Sequence, residues 1–412
     1  MKILYFHQHF TTPSGSSGTR SYEISKELIS KGHSVTIVCG SFSVGETGLS
    51  NEFFKGIRSG YVDGIEIIEL DLKYSSKFNF YQRSKSFLFF AIKSVKIALE
   101  REYDLIIASS TPLTISLPGI FARWIRKKPF IFEVRDLWPE LPKAMNIITN
   151  PIFLFLLEVL EWISYKSAHL VITLSPGMTA GVKKRGIADS KIRMIPNGCD
   201  FDFFDSALPD NNIKGINKND FLAIFSGSHG LANGLDSLIY VAEELKKQKI
   251  EDIKILLIGE GPEKINLINQ SKRLGLENII FLDPVSKHNL AMILKRANVG
   301  LQILANVPEF YYGTSPNKFF DYLSSGLPVI TNYPGWIADI IKNDQCGFYA
   351  EPNDYKKFCF YLKKLSGDKK LCTDMSIRSK QLAQSKFLRK KLANEMIDNI
   401  EHIKLNHSIN AK

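Results

Sequence analysis

Apolar residues recur along this chain in short unbroken runs, each followed by a stretch with helical spacing. In the first half, runs at residues 3–10, 34–38, 65–70, 105–108, 130–134, 170–173 and 191–195 read as strands. Helical segments separate them, the first over 21–30 and stopped by Gly32. The pattern restarts with strands at 222–225, 254–258, 279–282, 300–304 and 327–331. Helices near 235–247, 263–274, 287–297, 316–325 and 336–342 follow these strands. Apolar strands alternating with helices predict parallel sheets covered on both faces. A chain of 412 residues exceeds one ordinary core, so the reading is α/β with two doubly wound domains. The turn 196–200 closes the first, and polar residues 209–220 form a linker. From Tyr355 the chain is helical.

One segment, residues 313–326, carries most of the chemistry. Its Pro316 suits a first helical turn and its Gly326 a helix end. Asn317, Lys318 and Asp321 then gather at a helix N-terminus, where the backbone dipole favours an anion. Lys318 would meet a phosphate, and Asp321, one turn on, would accept hydrogen bonds from a sugar diol. That layout suits a nucleotide-sugar diphosphate. A capped structural helix would explain Pro316 and Gly326, but not all three polar residues.

Loops at other strand ends fit the same ligand. The 12–20 loop offers Gly15, Ser16, Ser17 and Gly18 to a phosphate, with Arg20 as a fixed charge. Many such loops are plain turns. Residues 226–234, with Ser228, His229 and Asn233, hold the corresponding place in the second half. Gly259 and Gly261 follow the next strand, and residues 283–286 the one after. In the first half, residues 132–140 put Arg135, Asp136 and Glu140 just past a buried strand, where such sheets carry function. A structural Arg135–Asp136 pair is the alternative. His7 and His9 alternate at the end of the first strand and so share a side. They lack a third metal ligand at suitable spacing, which makes them core or acceptor-site histidines. Asp200-Phe201-Asp202 has the look of a metal-binding Asp-x-Asp but follows the domain-ending turn, and is not read as a metal site.

These segments resemble family 4 of the retaining glycosyltransferases. The resemblance spans almost the whole chain and implies the GT-B fold, two facing Rossmann-like domains with an interdomain cleft. Arg-Asp-Leu-Trp-Pro-Glu at 135–140 is similar to the signature of bacterial enzymes that assemble O-antigen, lipopolysaccharide, capsule or other lipid-linked glycans. The family implies an acceptor-side domain at 1–200, a nucleotide-sugar domain at 201–385 and a terminal helix, 386–412, returning to the first domain. It implies retaining transfer from a nucleotide-diphosphate donor, UDP-linked, to a polyprenyl-diphosphate-linked saccharide, with no metal and no cofactor. Arg135, Asp136, Glu140 and Lys318 would then be catalytic. Donor contacts would come from Gly15, Ser16, Ser17, Gly18, Arg20, Ser228, His229 and Asn233. The rest would come from Gly259, Gly261, Ser315, Asn317, Lys318 and Asp321, with Val285 beside the base.

The chain departs from the family pattern at three places. Ser228 and Asn233 stand where most members carry Arg and Lys, and Gly313 stands where the first of two donor-site glutamates is expected. Asp321 matches the second. Thr314, Ser315 and Asn317 could supply replacement contacts, as for an N-acetyl or deoxy sugar. Two other functions stay open. One is a nucleotide-sugar epimerase of the same fold, which would need acid/base carboxylates around the sugar. The other is a non-catalytic nucleotide-sugar-binding partner in a glycan-assembly complex, which the loss of both cations favours.

Net charge is +11, from 53 Lys and Arg against 42 Asp and Glu. Nucleic acid, an anionic membrane and phosphorylated ligands all fit that sign. No nucleic-acid module is present, which excludes the first. Residues 73–103 hold seven Lys or Arg, two Glu and eight aromatics. This segment suits either an anionic membrane surface or an ordinary solvated face. Helix 151–166 is apolar on most sides, for burial against the sheet or for acyl chains. Its longest apolar run, 152–157, falls well short of a membrane span. The chain enters a strand at once, so no signal peptide is expected, and five scattered cysteines suit a reducing compartment. The expected location is cytoplasmic, peripheral to the inner membrane face.

Overall fold

The computed structural model describes residues 1–42, 44–75, 78–210 and 212–410, with side chains as far as Leu405. Ser76 and Lys77 of the basic segment, Asn211 of the linker and the last two residues of the expected terminal helix lie outside these. The chain divides into two compact units. One comprises Met1–Pro196, Tyr312–Ser315 and Lys390–Lys412, the other Asn197–Tyr311 and Pro316–Arg389.

The first unit is built on eight strands: β1 (Lys2–Phe6), β2 (Ser34–Phe42), β3 (Ile57–Val62), β4 (Ile65–Tyr74), β5 (Leu105–Ser109), β6 (Phe130–Val134), β7 (Leu170–Thr173) and β8 (Ile192–Met194). Their order is β3-β4-β2-β1-β5-β6-β7-β8, parallel except for β3 against β4. Alternation along β1 sends Ile3 and Tyr5 to one face and Leu4 and Phe6 to the other, and all four are buried. On the first face lie Ile24 and Leu28 of helix Arg20–Ser30, with Met396, Ile397 and Ile400 of the last helix, Arg389–Asn410. The second face is covered by helices Phe80–Glu100, Leu117–Trp124 and Pro151–Ser167. Gly119 lets the middle helix approach closely, since a Cβ there would fall 2.1 Å from the Phe130 ring.

The expected first strand, 3–10, stops at Phe6. The His7 amide still reaches Val38 O at 3.1 Å, but Phe10 turns back onto His7 O at 3.3 Å. His7 and His9 therefore lie beyond the strand and do not alternate on it, which corrects the shared-side expectation. Strand β3 was not foreseen. Its signal is legible in Asp63-Gly64, both at positive φ, in a two-residue hairpin turn between Val62 and Ile65.

The second unit has six parallel strands: β9 (Phe221–Ser226), β10 (Ile253–Ile258), β11 (Ile279–Leu282), β12 (Val299–Gln302), β13 (Val329–Thr331) and β14 (Gly347–Tyr349). The order β11-β10-β9-β12-β13-β14 reverses between β9 and β12, a switch point beside which ligands bind in open α/β sheets. In the first unit the corresponding switch lies between β1 and β5.

Candidate functional site

In the second unit, helix Asn317–Ser324 follows β12 and begins at the switch point, with Pro316 as its extended N-cap. Phe319, Phe320, Tyr322 and Leu323 are buried beneath it. Tyr322 packs on Gly300, where a Cβ would sit 2.4 Å from its ring, and its hydroxyl accepts the Ser226 amide at 3.0 Å. These contacts fasten the helix to the end of β9. Lys318 and Asp321, three residues apart, consequently share one face.

Lys318 Nζ donates to Asn233 Oδ1 at 2.9 Å and stands 4.2 Å from the centre of the Phe225 ring. Among the described residues no carboxylate pairs with it. Burial lowers its pKa to about 7. Gly227, at φ +149, makes room for the side chain, since a Cβ there would lie 3.0 Å from Lys318 Cε. Asn233 turns its amide nitrogen to Ser228 O at 2.7 Å and so links the loop to the lysine. Ser228 itself is exposed. Asn317 Oδ1 is buried without a partner among the described residues.

Asp321 is half-buried, and no described residue hydrogen-bonds its carboxylate. Burial raises its pKa to about 7; nearby Lys287 opposes this, Asp200 adds to it and Arg389 opposes it. Both cations are engaged elsewhere, because Asp200 accepts from Lys287 and from Arg389 at very short range. Asp200 is thus a structural anion held between two cations. Among the described residues no group of three or more His, Cys, Asp or Glu side chains is placed to hold a metal.

Gly259 and Gly261 serve the site by allowing close approach rather than by donating. The Gly259 amide bonds Leu282 O at 3.2 Å and the Gly261 amide bonds Glu260 Oε1 at 3.0 Å. A Cβ on Gly259 would fall 1.9 Å from Gly227 O, and one on Gly261 would fall 2.5 Å from the backbone of His229. His229 is buried under these glycines, and neither ring nitrogen has a partner among the described residues. Burial and Lys264 lower its pKa to about 4, so the ring is neutral. Lys264 went unrecognised in the sequence. Its Nζ stitches the ends of β10 and β11 through Gly259 O at 2.9 Å, Leu282 O at 3.0 Å and Asp283 at 2.6 Å. Val285 is half-buried on the loop that follows β11.

In the first unit the loops after β1, β5 and β6 form a polar cluster. Arg135 Nη1 donates to His7 Nε2 at 2.8 Å, so neutral His7 carries its proton on Nδ1 and donates it to Ser21 Oγ at 2.6 Å. Burial, with Arg135 beside it, holds His7 well below its ordinary pKa. Asp136 accepts a very short bond from Thr111 Oγ1, and burial raises its carboxyl against the pull of Thr111 and Arg135. The alternative, a structural Arg135–Asp136 pair, is not what these side chains form: Arg135 bonds His7 and Asp136 accepts from Thr111. Glu140 is exposed at the start of helix Glu140–Ala144.

Three expected phosphate ligands of this unit are corrected. Arg20 is buried and its guanidinium is occupied, with Nε on Glu133 at 2.8 Å and Nη1 and Nη2 on the carbonyls of Pro196 and Ile195 at 2.6 and 2.9 Å. The amides of Gly15 and Ser16 bond Thr12 O and Val44 O, both at 3.1 Å. Gly15 is required because a Cβ would meet Thr11 Oγ1 at 2.1 Å. Ser17 and Gly18, both half-buried, bond no described residue and remain available. Gly313 faces open space, where an added Cβ meets nothing within 4 Å, and Ser315 nearby is half-buried.

Comparison with known proteins assigns both halves of the chain to glycosyltransferase families. Residues 17–203 match Glycosyltransferase Family 4 and residues 209–382 match Glycosyl transferases group 1. Over 66% of its length the chain is 23% identical to 2-deoxystreptamine N-acetyl-D-glucosaminyltransferase of Niallia circulans, covering 69% of that enzyme. Over 46% it is 26% identical to UDP-Gal:alpha-D-GlcNAc-diphosphoundecaprenol alpha-1,3-galactosyltransferase of Escherichia coli, covering about half (49%) of that protein. The fold is shared with Anabaena HepE, solved in complex with UDP-glucose, at a TM-score of 0.68 and 16% identity over 98% of this chain and 100% of that one. A family 4 half followed by a group 1 half, each on its own parallel sheet, makes this chain a member of the family 4 glycosyltransferases with the GT-B fold.

Proposed function

We propose that the protein transfers a sugar, with retention, from a UDP-sugar to a polyprenyl-diphosphate-linked saccharide of a bacterial surface glycan. The observation that carries this reading is Lys318, a cation at a helix N-terminus with no carboxylate among the described residues. A diphosphate would supply its missing counter-charge. Asp321, free of hydrogen bonds from described residues and three positions away, suits ribose hydroxyls. HepE, which shares the fold, binds UDP-glucose, and the Escherichia coli relative uses a diphosphoundecaprenol acceptor.

In front-face transfer the glycosidic C–O bond to the diphosphate breaks as the acceptor oxygen bonds the same face of the sugar. The leaving phosphate oxygen takes the acceptor proton. Such a reaction needs a stabilised diphosphate and a positioned acceptor more than a protein nucleophile. Lys318 and the open Ser228 hydroxyl serve the first need. Asp136, Arg135 and the neutral His7 serve the second at the acceptor. The test is incubation with labelled UDP-sugars and lipid-linked acceptor. Label on lipid supports the proposal. Epimerised free nucleotide sugar, or binding without turnover, would replace it with an epimerase or a non-catalytic partner.

A pH dependence follows from the same lysine. A bound diphosphate raises the Lys318 pKa from about 7, so binding takes up a proton between the free and bound values. UDP affinity should therefore fall as pH rises above about 7. Calorimetry at about pH 8, where UDP is already fully ionised, in buffers of different ionisation heat should read that uptake. Lys318→Met should abolish it.

A further inference from the structure

Helices Phe80–Glu100, Leu117–Trp124 and Pro151–Ser167 cover one face of the first sheet and adjoin one another. Phe80 meets Phe153 with ring centres 6.0 Å apart, and Trp124 Nε1 donates to Ser167 Oγ at 2.9 Å. Their inward residues, such as Phe90, Ala122 and Leu157, are buried as a sheet-covering layer requires. Their outward residues are also apolar. Leu88 and Ile92 are 53% and 57% exposed, Trp124 and Ile125 are 65% and 58%, and Ile152 and Phe155 are 72% and 63%. Scattered exposed apolar side chains are ordinary, but a continuous set on three adjoining helices marks a binding surface.

Charge selects the occupant. Each helix carries a cation beside one of its aromatic rings: Lys85 at 5.9 Å from Phe89, Arg123 at 5.5 Å from Trp124 and Lys166 at 5.9 Å from Trp162. Along Phe80–Glu100, Lys85 and Lys96 lie on the same stripe as Leu88 and Ile92, one toward each end. Aromatic rings with cations at their margins suit an interface that is apolar inside and anionic at its edge. No helix among the described residues is long and apolar enough to cross a membrane, so this face would lie on a bilayer.

We infer that this three-helix face docks onto the headgroup layer of an anionic lipid bilayer, with Trp124, Ile152 and Phe155 entering the acyl boundary. The inference extends the proposed use of a lipid-linked acceptor but is read by a separate measurement. Co-sedimentation of the full chain with vesicles of phosphatidylcholine and phosphatidylglycerol in equal parts should show binding. Pure phosphatidylcholine should bind less, and added salt should weaken the anionic binding. Ile152→Glu with Phe155→Glu should weaken partition by about tenfold or more, since two apolar contacts are lost and two repelled charges gained. These positions are exposed, so circular dichroism and UDP affinity should match the parent protein. Absence of vesicle binding, or binding unchanged in the double variant, overturns the inference. So does a concentration-dependent dimer that the same variant abolishes, which would assign the face to a second copy. Loss of UDP binding by the parent protein would instead count against the proposed donor site.

Discussion

Replacing Lys318 by alanine is expected to cut sugar transfer by about 100-fold or more, the scale set by removing one charged or donor group from a developing anion. UDP affinity should fall as well, because in the proposed site the ammonium would meet the diphosphate before and after reaction. Stability should not fall with them. The wild-type side chain carries its charge at neutral pH only in part and against the cost of burial, with an asparagine and an aromatic ring as its visible support. Alanine removes that cost together with those contacts, so the thermal midpoint should be unchanged or higher. The combination of lost turnover and kept stability is what separates a ligand-binding lysine from a structural one. A parallel loss of both, or unchanged turnover, removes Lys318 from the site.

Much of the fold is legible in the sequence because parallel strands buried on both faces have to be apolar throughout. The runs at 105–108, 130–134 and 170–173 each appear as strands within a residue of their expected limits. Helix Asn317–Ser324, with Lys318 and Asp321 on one face, was legible for a different reason. Proline and glycine punctuate it, and its spacing of three fixes which side chains are neighbours. What the sequence hides is where donors are spent. Arg20 and Ser16 look like phosphate ligands until the carbonyls of residues far along the chain are placed against them, while Gly15 spends its amide on Thr12 O within its own loop. The Arg20 partner, Glu133, lies 113 positions away inside an apolar strand, and no local pattern joins the two. Lys264 is hidden in part the same way, since two of its three acceptors, Leu282 O and Asp283, lie at the end of β11, 18 and 19 positions on.

Removal of the Arg20 partner is expected to be the most destabilising single change in the first unit. Glu133→Ala should cost about 3–5 kcal/mol, the usual penalty for leaving one member of a buried ion pair alone. Both side chains are buried, at 4% and 0% exposure, so water cannot replace the lost carboxylate. Burial pushes the Glu133 pKa up, but Arg20, Arg135 and the Ser109 hydroxyl, at 2.5 Å, outweigh it and hold the carboxyl below its ordinary value. A depressed carboxyl pKa stabilises the fold above the unfolded value of 4.5, and that part is lost as pH falls through the folded one. Urea unfolding should show a lower midpoint for Glu133→Ala at an unchanged slope. Joint replacement, Arg20→Met with Glu133→Leu, should recover most of the loss because no charge is left unpaired. A cost below about 1 kcal/mol for Glu133→Ala would show the pair to be solvated. Arg20 joins β6 to the carbonyls that follow β8, and Glu133 directly precedes Val134 and Arg135. The pair therefore fixes the chain that presents Arg135 to His7 and Asp136 to Thr111, and its loss should displace those groups even where the unit still folds.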